Sequence, residues 1–143
     1  MLAGEFSGHL FFKERWYGFD DGMYAGARLL EILSKTQRGS DALFAEIPEG
    51  INTPELKIAV SEAGKFQIIE QLIKRADFKD GIVNTLDGLR VDFNNGFGLV
   101  RCSNTTPYLI CRFEADDIAT LKAIQQKFKQ CLLDVDSQLV IPF

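Results

Sequence analysis

At 143 residues the chain is long enough for one domain with a proper core and too short for two full ones. A hydrophobic share of 46% and a charged share of 25% describe an ordinary globular protein, and a formal net charge of −4 excludes a general pull toward nucleic acid or an anionic membrane. No apolar run approaches the roughly 18 residues that cross a bilayer, so any anion bound here is held by local geometry against the overall charge.

The N-terminal "MLAGEFSGH" lacks the basic start and apolar core of a signal peptide. A short strand-like "LFF" follows, then "FDDGMYAGARLLEILSKTQRG", which predicts a helix: Asp20 or Asp21 serves as N-cap, Met23, Ala27, Leu30 and Leu33 recur at helical spacing, and Gly39 suits the stop. Residues 1–40 thus make up a first part with a strand-like piece and one helix. The stretch 41–55, with Pro48, Gly50 and Pro54, reads as a linker, because prolines so placed oppose regular structure.

From residue 56 to 143 the pattern is that of one α+β domain. "LKIAV" predicts a strand. "SEAGKFQIIEQLIKRAD" predicts a helix capped by Ser61, with Phe66, Ile69, Leu72, Ile73 and Ala76 on its inner face. "GIVNTL" and "LRVDF" flank Asp87-Gly88, a hairpin signal. Leu89, Val91 and Phe93 then alternate with Arg90 and Asp92, which gives one dry and one wet face. "FGLVR" and "YLICRFEA" complete a four-strand meander around the turn at Asn95-Gly96. A helix capped by Asp116 or Asp117 follows, with Ile118, Leu121, Ile124, Phe128, Cys131 and Leu132 as its buried stripe, and "QLVIPF" is expected to add an edge strand. The layer solution is an antiparallel sheet with two helices packed on one face. Cys102, Cys111 and Cys131 form no C-x-x-C pair and the chain has one histidine, so the thiols are expected to be structural and reduced, in a cytoplasmic setting, with no metal site.

Two loops carry candidate chemistry. In "RCSNTTP", residues 101–107, Arg101 offers a planar donor fork matched to phosphate oxygens, Ser103 and Thr105 offer hydroxyls, and Asn104 tolerates the backbone that lets N–H groups converge on an anion. Such a cluster before a proline is also an ordinary polar turn. In "GEFSGH", residues 4–9, Glu5, Ser7 and His9 alternate: a carboxylate and a hydroxyl suit neighbouring sugar hydroxyls, and an imidazole moves protons near neutral pH. These three are equally readable as solvated turn and strand-end residues.

"GEFSGHLFFKERWYGFDDGMYAGARLLEILS" resembles the sugar-recognition segment in the third domain of the α-D-phosphohexomutases, nearest the bacterial phosphomannomutase/phosphoglucomutase branch, whose loop typically reads G-E-M-S-G-H. "LDGLRVDFNNGFGLVRCSNTTPYLICRFEAD" is similar to the fourth, C-terminal domain of that family, including its R-x-S-N-T phosphate loop. The resemblance covers nearly the whole chain and implies that residues 1–40 are the incomplete tail of the preceding, sugar-binding domain and that residues 56–143 have a TATA-box-binding-protein-like architecture. It implies that Glu5 and Ser7 bind sugar hydroxyls, that His9 is an accessory acid or base, and that Arg101, Ser103, Asn104 and Thr105 grip the phosphate that is not transferred. Phe6 stands where the family often has Met, a conservative change, and Cys102 where a small residue is common.

The implied activity is the interconversion of hexose 1- and 6-phosphates by an intramolecular phosphotransferase, an isomerase of carbohydrate metabolism. The family's serine loop, of the T-A-S-H-N-P kind, and its metal loop, D-G-D-G-D-R, do not occur in these residues. The resemblance therefore implies a C-terminal piece that is inactive alone, with Mg expected only for the full enzyme, a hexose phosphate and the enzyme's N-terminal domains as partners, and neither nucleic acid nor membrane. A phosphoglucosamine mutase piece and a non-catalytic interaction domain of the same fold are the alternatives. The choice between mannose and glucose phosphate rests on loops outside these residues.

Overall fold

The computed structural model describes residues 1–5, 7–48 and 50–143, in two compact units, Met1–Pro48 and Glu49–Phe143. Phe6, where the family's Met was expected, lies outside the described residues.

In the first unit β1 (Leu2–Gly4) and β2 (Leu10–Phe12) pair antiparallel, Gly4 opposite Leu10. Helix α1 (Gly22–Thr36) starts where Asp21 accepts the Tyr24 N–H at 2.9 Å, so the expected cap is confirmed as Asp21. The expected inner stripe is not the one used. Met23 and Leu30 are 87% and 67% exposed, while Tyr24 and Arg28 face the ribbon: Tyr24 meets Phe12 edge-on at 5.5 Å and stacks on Trp16 at 4.4 Å, and Arg28 lies over Phe12. The Tyr24 ring covers Phe12 and Trp16 and the Arg28 guanidinium covers Phe12, while their polar ends are bound: the Tyr24 hydroxyl donates to the Glu14 and Arg15 carbonyls at 3.3 Å and Arg28 donates to the Glu14 carboxylate at 2.6 Å. A short helix α2 (Ser40–Phe44) occupies the start of the stretch read as linker.

The second unit is the expected α+β layer structure. A six-stranded antiparallel sheet runs β3 (Ile51–Asn52), β8 (Tyr108–Ala115), β7 (Gly96–Cys102), β6 (Leu89–Phe93), β5 (Gly81–Asn84), and β4 (Leu56–Ala59) also pairs with β8. Strands β3 and β4 follow each other along one edge of β8, Ile51 opposite Ala115 and Leu56 opposite Cys111. Pro54 between them has no N–H to donate, and the ladder breaks there.

Helices α3 (Lys65–Arg75) and α4 (Ile118–Val135) cover one face. Ile58, Leu89, Val91, Val100, Leu109, Cys111 and Phe113 from the sheet form a core with Ile69, Leu72, Leu121, Ile124, Phe128 and Leu132 from the helices. Gly98 is where this layer is tightest, since a Cβ there would strike the Phe128 ring.

Three expectations are corrected. Ser61 caps a turn rather than α3 itself, accepting the Gly64 N–H at 3.0 Å, and the helix begins at Lys65. Phe66 is 61% exposed and Ile118 58%; the inner row of α3 is Lys65, Ile69 and Leu72, at spacings of four and three. The tail does not form a strand: Leu139, Ile141 and Phe143 pack half-buried against the core without a ladder, Phe143 edge-on to Phe113 at 4.8 Å. Among the described residues no helix is long and apolar enough to cross a membrane.

Candidate functional site

The β7–β8 connection places the polar cluster. Cys102 pairs with Leu109, so residues 103–107 form the turn between two central strands. Ser103 is 7% exposed and organises the turn. Its backbone N–H donates to the Tyr108 carbonyl at 2.9 Å, its hydroxyl accepts the N–H groups of Thr105 and Thr106 at 3.4 and 3.2 Å, and it shares a 2.6 Å hydrogen bond with the Thr106 hydroxyl.

Arg101, Ser103, Asn104 and Thr105, the four residues picked from the sequence, line one pocket of about 270 Å³ together with Glu55, Lys57, Thr106 and Ile110. Arg101 makes a 3.4 Å hydrogen bond to the Cys102 carbonyl and a 3.9 Å ion pair with Asp87, contacts long enough to yield to a better acceptor. A larger hollow of about 400 Å³, between α3 and the tail, is lined by Gln67, Ile68, Gln71, Asp136 and Leu139 among others and offers no cation. Size alone would choose the second; charge chooses the first.

Sequence reasoning missed two cations at the loop. Lys57 lines the pocket from β4, where alternation with Leu56 and Ile58 turns it away from the core. Lys65 lies behind the loop, 1% exposed, donating to the Ser103 carbonyl at 2.8 Å and the Thr106 carbonyl at 3.3 Å, with Glu62 at 2.5 Å. The available signal was its spacing to Ile69 and Leu72, which puts a lysine in a helix's apolar row.

In the first unit the Glu5–His9 turn is closed by Glu5 N–H to the His9 carbonyl at 2.9 Å and Gly8 N–H to the Glu5 carbonyl at 3.0 Å, with Gly8 at φ +87°, where a glycine is favoured. Glu5, Ser7 and His9 do converge. The Ser7 hydroxyl donates to Glu5 Oε2 at 3.1 Å and lies 2.6 Å from His9 Nδ1, and Nδ1 is 3.5 Å from Glu5 Oε2. Asp20 joins them: its Oδ2 is 3.8 Å from His9 Nε2, and its Oδ1 accepts the Leu10 N–H at 3.2 Å. The sequence offered Asp20 only as a helix cap; with Asp21 in that role, Asp20 is free to flank the imidazole. The group is solvent-exposed, with two carboxylates that accept and one hydroxyl that also donates, a set suited to vicinal hydroxyls.

Burial pushes the Cys111 thiol up to about 12 and raises Cys102 and Cys131, so none is tuned as a nucleophile. Among the described residues no group of three or more His, Cys, Asp or Glu could hold a metal ion.

Comparison with known proteins matches residues 55–130 to the phosphoglucomutase/phosphomannomutase C-terminal domain and residues 1–50 to alpha/beta/alpha domain III of the same family. A phosphomannomutase/phosphoglucomutase of Pseudomonas putida is 56% identical over 143 residues, covering 100% of this chain and 31% of its own length. A phosphoglucomutase of Neisseria gonorrhoeae is 51% identical over 144 residues, covering 99% of this chain and 31% of its own length. The crystal structure of a family protein from Burkholderia thailandensis superposes with a TM-score of 0.89 at 48% identity, covering 99% of this chain and 30% of that one. The chain thus spans under a third of the length of the relatives it matches.

Proposed function

The chain belongs to the phosphoglucomutase/phosphomannomutase family, and from that premise we propose that it supplies substrate binding, and not phosphoryl transfer, to a hexose-phosphate mutase. In this reading Arg101, Ser103, Asn104 and Thr105 hold the phosphate that stays on the sugar, and Glu5 and Ser7 accept and donate to sugar hydroxyls. The observation that carries it is the single pocket lined by Arg101, Ser103, Asn104, Thr105 and Lys57. Two cations and a hydroxyl-bearing turn suit a dianion, and the Arg101 fork suits its paired oxygens.

The chemistry of transfer needs a nucleophile and neutralisation of phosphoryl charge. Ser7 lies within a hydrogen-bonded group with Glu5 and His9, and Ser103 is turned into its own loop. Magnesium, which the family implies, does not fit the described residues as a resident ion, so no step here runs through it. The serine within reach of His9 is Ser7, 2.6 Å from Nδ1, and in this reading Ser7 is engaged with a sugar hydroxyl rather than a phosphoryl group. As an accessory acid or base His9 acts only when such a group is brought to it.

The test is twofold. With mannose 1-phosphate or glucose 1-phosphate, a hexose bisphosphate activator and magnesium, the chain should show no turnover in a coupled assay. Amide signals of residues 101–106 should shift on adding either sugar phosphate. Turnover that disappears in Ser7→Ala or His9→Ala, or shifts confined to the hollow between α3 and the tail, would overturn the reading.

A further inference from the structure

We propose that Lys65 is a positioning residue for the anion loop, an inference that rests on the phosphate reading of that loop. Its side chain is 1% exposed, and its ammonium has three acceptors, the carbonyls of Ser103 and Thr106 and the Glu62 carboxylate, one for each N–H. A lysine is seldom buried this deeply unless it is paired, because stranding the charge costs far more than the hydrogen bonds return. Two of its three partners belong to a loop some forty residues away.

The consequence for binding follows from peptide geometry. A trans peptide points its C=O and the next N–H in opposite directions. Drawing the Ser103 carbonyl inward onto Lys65 turns the Asn104 N–H outward, and Asn104 lines the pocket. The Thr106 carbonyl is drawn in at the other end of the turn, where the next residue, Pro107, has no N–H to turn. Lys65 thus fixes both ends of the loop from behind and adds a positive charge beneath it, while Arg101 and Lys57 approach from the pocket side. Glu62, 66% exposed, takes the third N–H of Lys65 from the solvent side, and the other two remain on the loop carbonyls.

The experiment titrates the whole chain with inorganic phosphate and follows amide shifts in the wild type and in Lys65→Met, which keeps the aliphatic stem and loses the donors. The expected result is a folded variant with displaced amide signals at residues 103–106 before any phosphate is added, unmoved signals at core positions such as Val91, and phosphate affinity lower by about tenfold or more. A folded variant with wild-type affinity overturns the inference alone and leaves the phosphate reading standing. A wild type that shows no shift at residues 101–106 overturns the phosphate reading, and this inference with it. If Lys65→Met does not fold, the deciding measurement is the side-chain N–H signal of Lys65 in the wild type, which burial shields from exchange: it should move during the titration in step with the Asn104 amide, and an unmoved signal overturns the inference.

Discussion

The Ser103 hydroxyl and the Thr106 hydroxyl lie 2.6 Å apart, and the same Ser103 oxygen accepts the Thr106 N–H at 3.2 Å. One small side chain therefore closes the turn that carries the proposed anion site. Ser103→Ala removes the shared partner of these part-buried donors, at a cost of about 1 kcal/mol. Urea unfolding should show a lower midpoint with unchanged slope, and weaker phosphate binding should accompany it. An unchanged midpoint would mean that the hydroxyl does not hold the loop.

A second expectation concerns the helix layer. Phe128 packs directly on the backbone of Gly98, so Gly98→Ala forces ring or strand to move and should destabilise the second unit by about 1–3 kcal/mol. Thermal unfolding of the variant measures it; wild-type stability would show that the α4 contact yields without cost.

Much of this was legible beforehand, for identifiable reasons. Leu89, Val91, Leu109, Cys111 and Phe113 alternate so regularly that their burial followed from period two. The loop strings at 4–9 and 101–105 named their candidate residues: Glu5, Ser7 and His9 meet in one unit, and in the other Arg101 from β7 lines one pocket with Ser103, Asn104 and Thr105 of the turn. Lys65 was missed because a lysine is counted as solvated: its spacing to Ile69 and Leu72 put it in the apolar row, but the partners that hold it there lie about forty residues away. Phe66 failed for the opposite reason: apolar character suggested burial, but the row of Ile69 and Leu72 begins one residue earlier. The tail alternates like a strand, yet what anchors it is Phe143 against Phe113, a ring contact that no local pattern encodes.

The thiols should be inert. Burial raises the Cys111 thiol to about 12, far above assay pH, so at pH 8 an aromatic disulfide reagent should not modify it until the chain unfolds. Rapid labelling of Cys111 in native protein would contradict its place in the core.

The first unit should be acid-sensitive. None of its described residues is fully buried, and Glu31 is held by Arg15 at 3.2 and 2.9 Å and by Lys35 at 2.7 Å. These cations, Arg15 first, lower the Glu31 carboxyl from 4.5 to about 2. A depressed carboxylate stabilises the fold above its unfolded value, and that contribution is lost as pH falls from about 4.5 through about 2. The single tryptophan, Trp16, reports on this unit: its fluorescence melting temperature should fall across that window. Glu31→Gln should melt lower at pH 7 and depend less on acid. Equal acid dependence in both proteins would rule the ion pairs out as the cause.

The most direct test of the account is the phosphate titration of wild type against Arg101→Ala, followed residue by residue. Arg101 is partly exposed and held by long contacts, so the variant should keep the wild-type melting temperature. The account predicts shifts centred on residues 103–106 in the wild type and a loss of affinity of about tenfold or more in the variant, as expected for one charge-assisted contact. Shifts that cluster elsewhere, or that survive the substitution at full affinity, would contradict it.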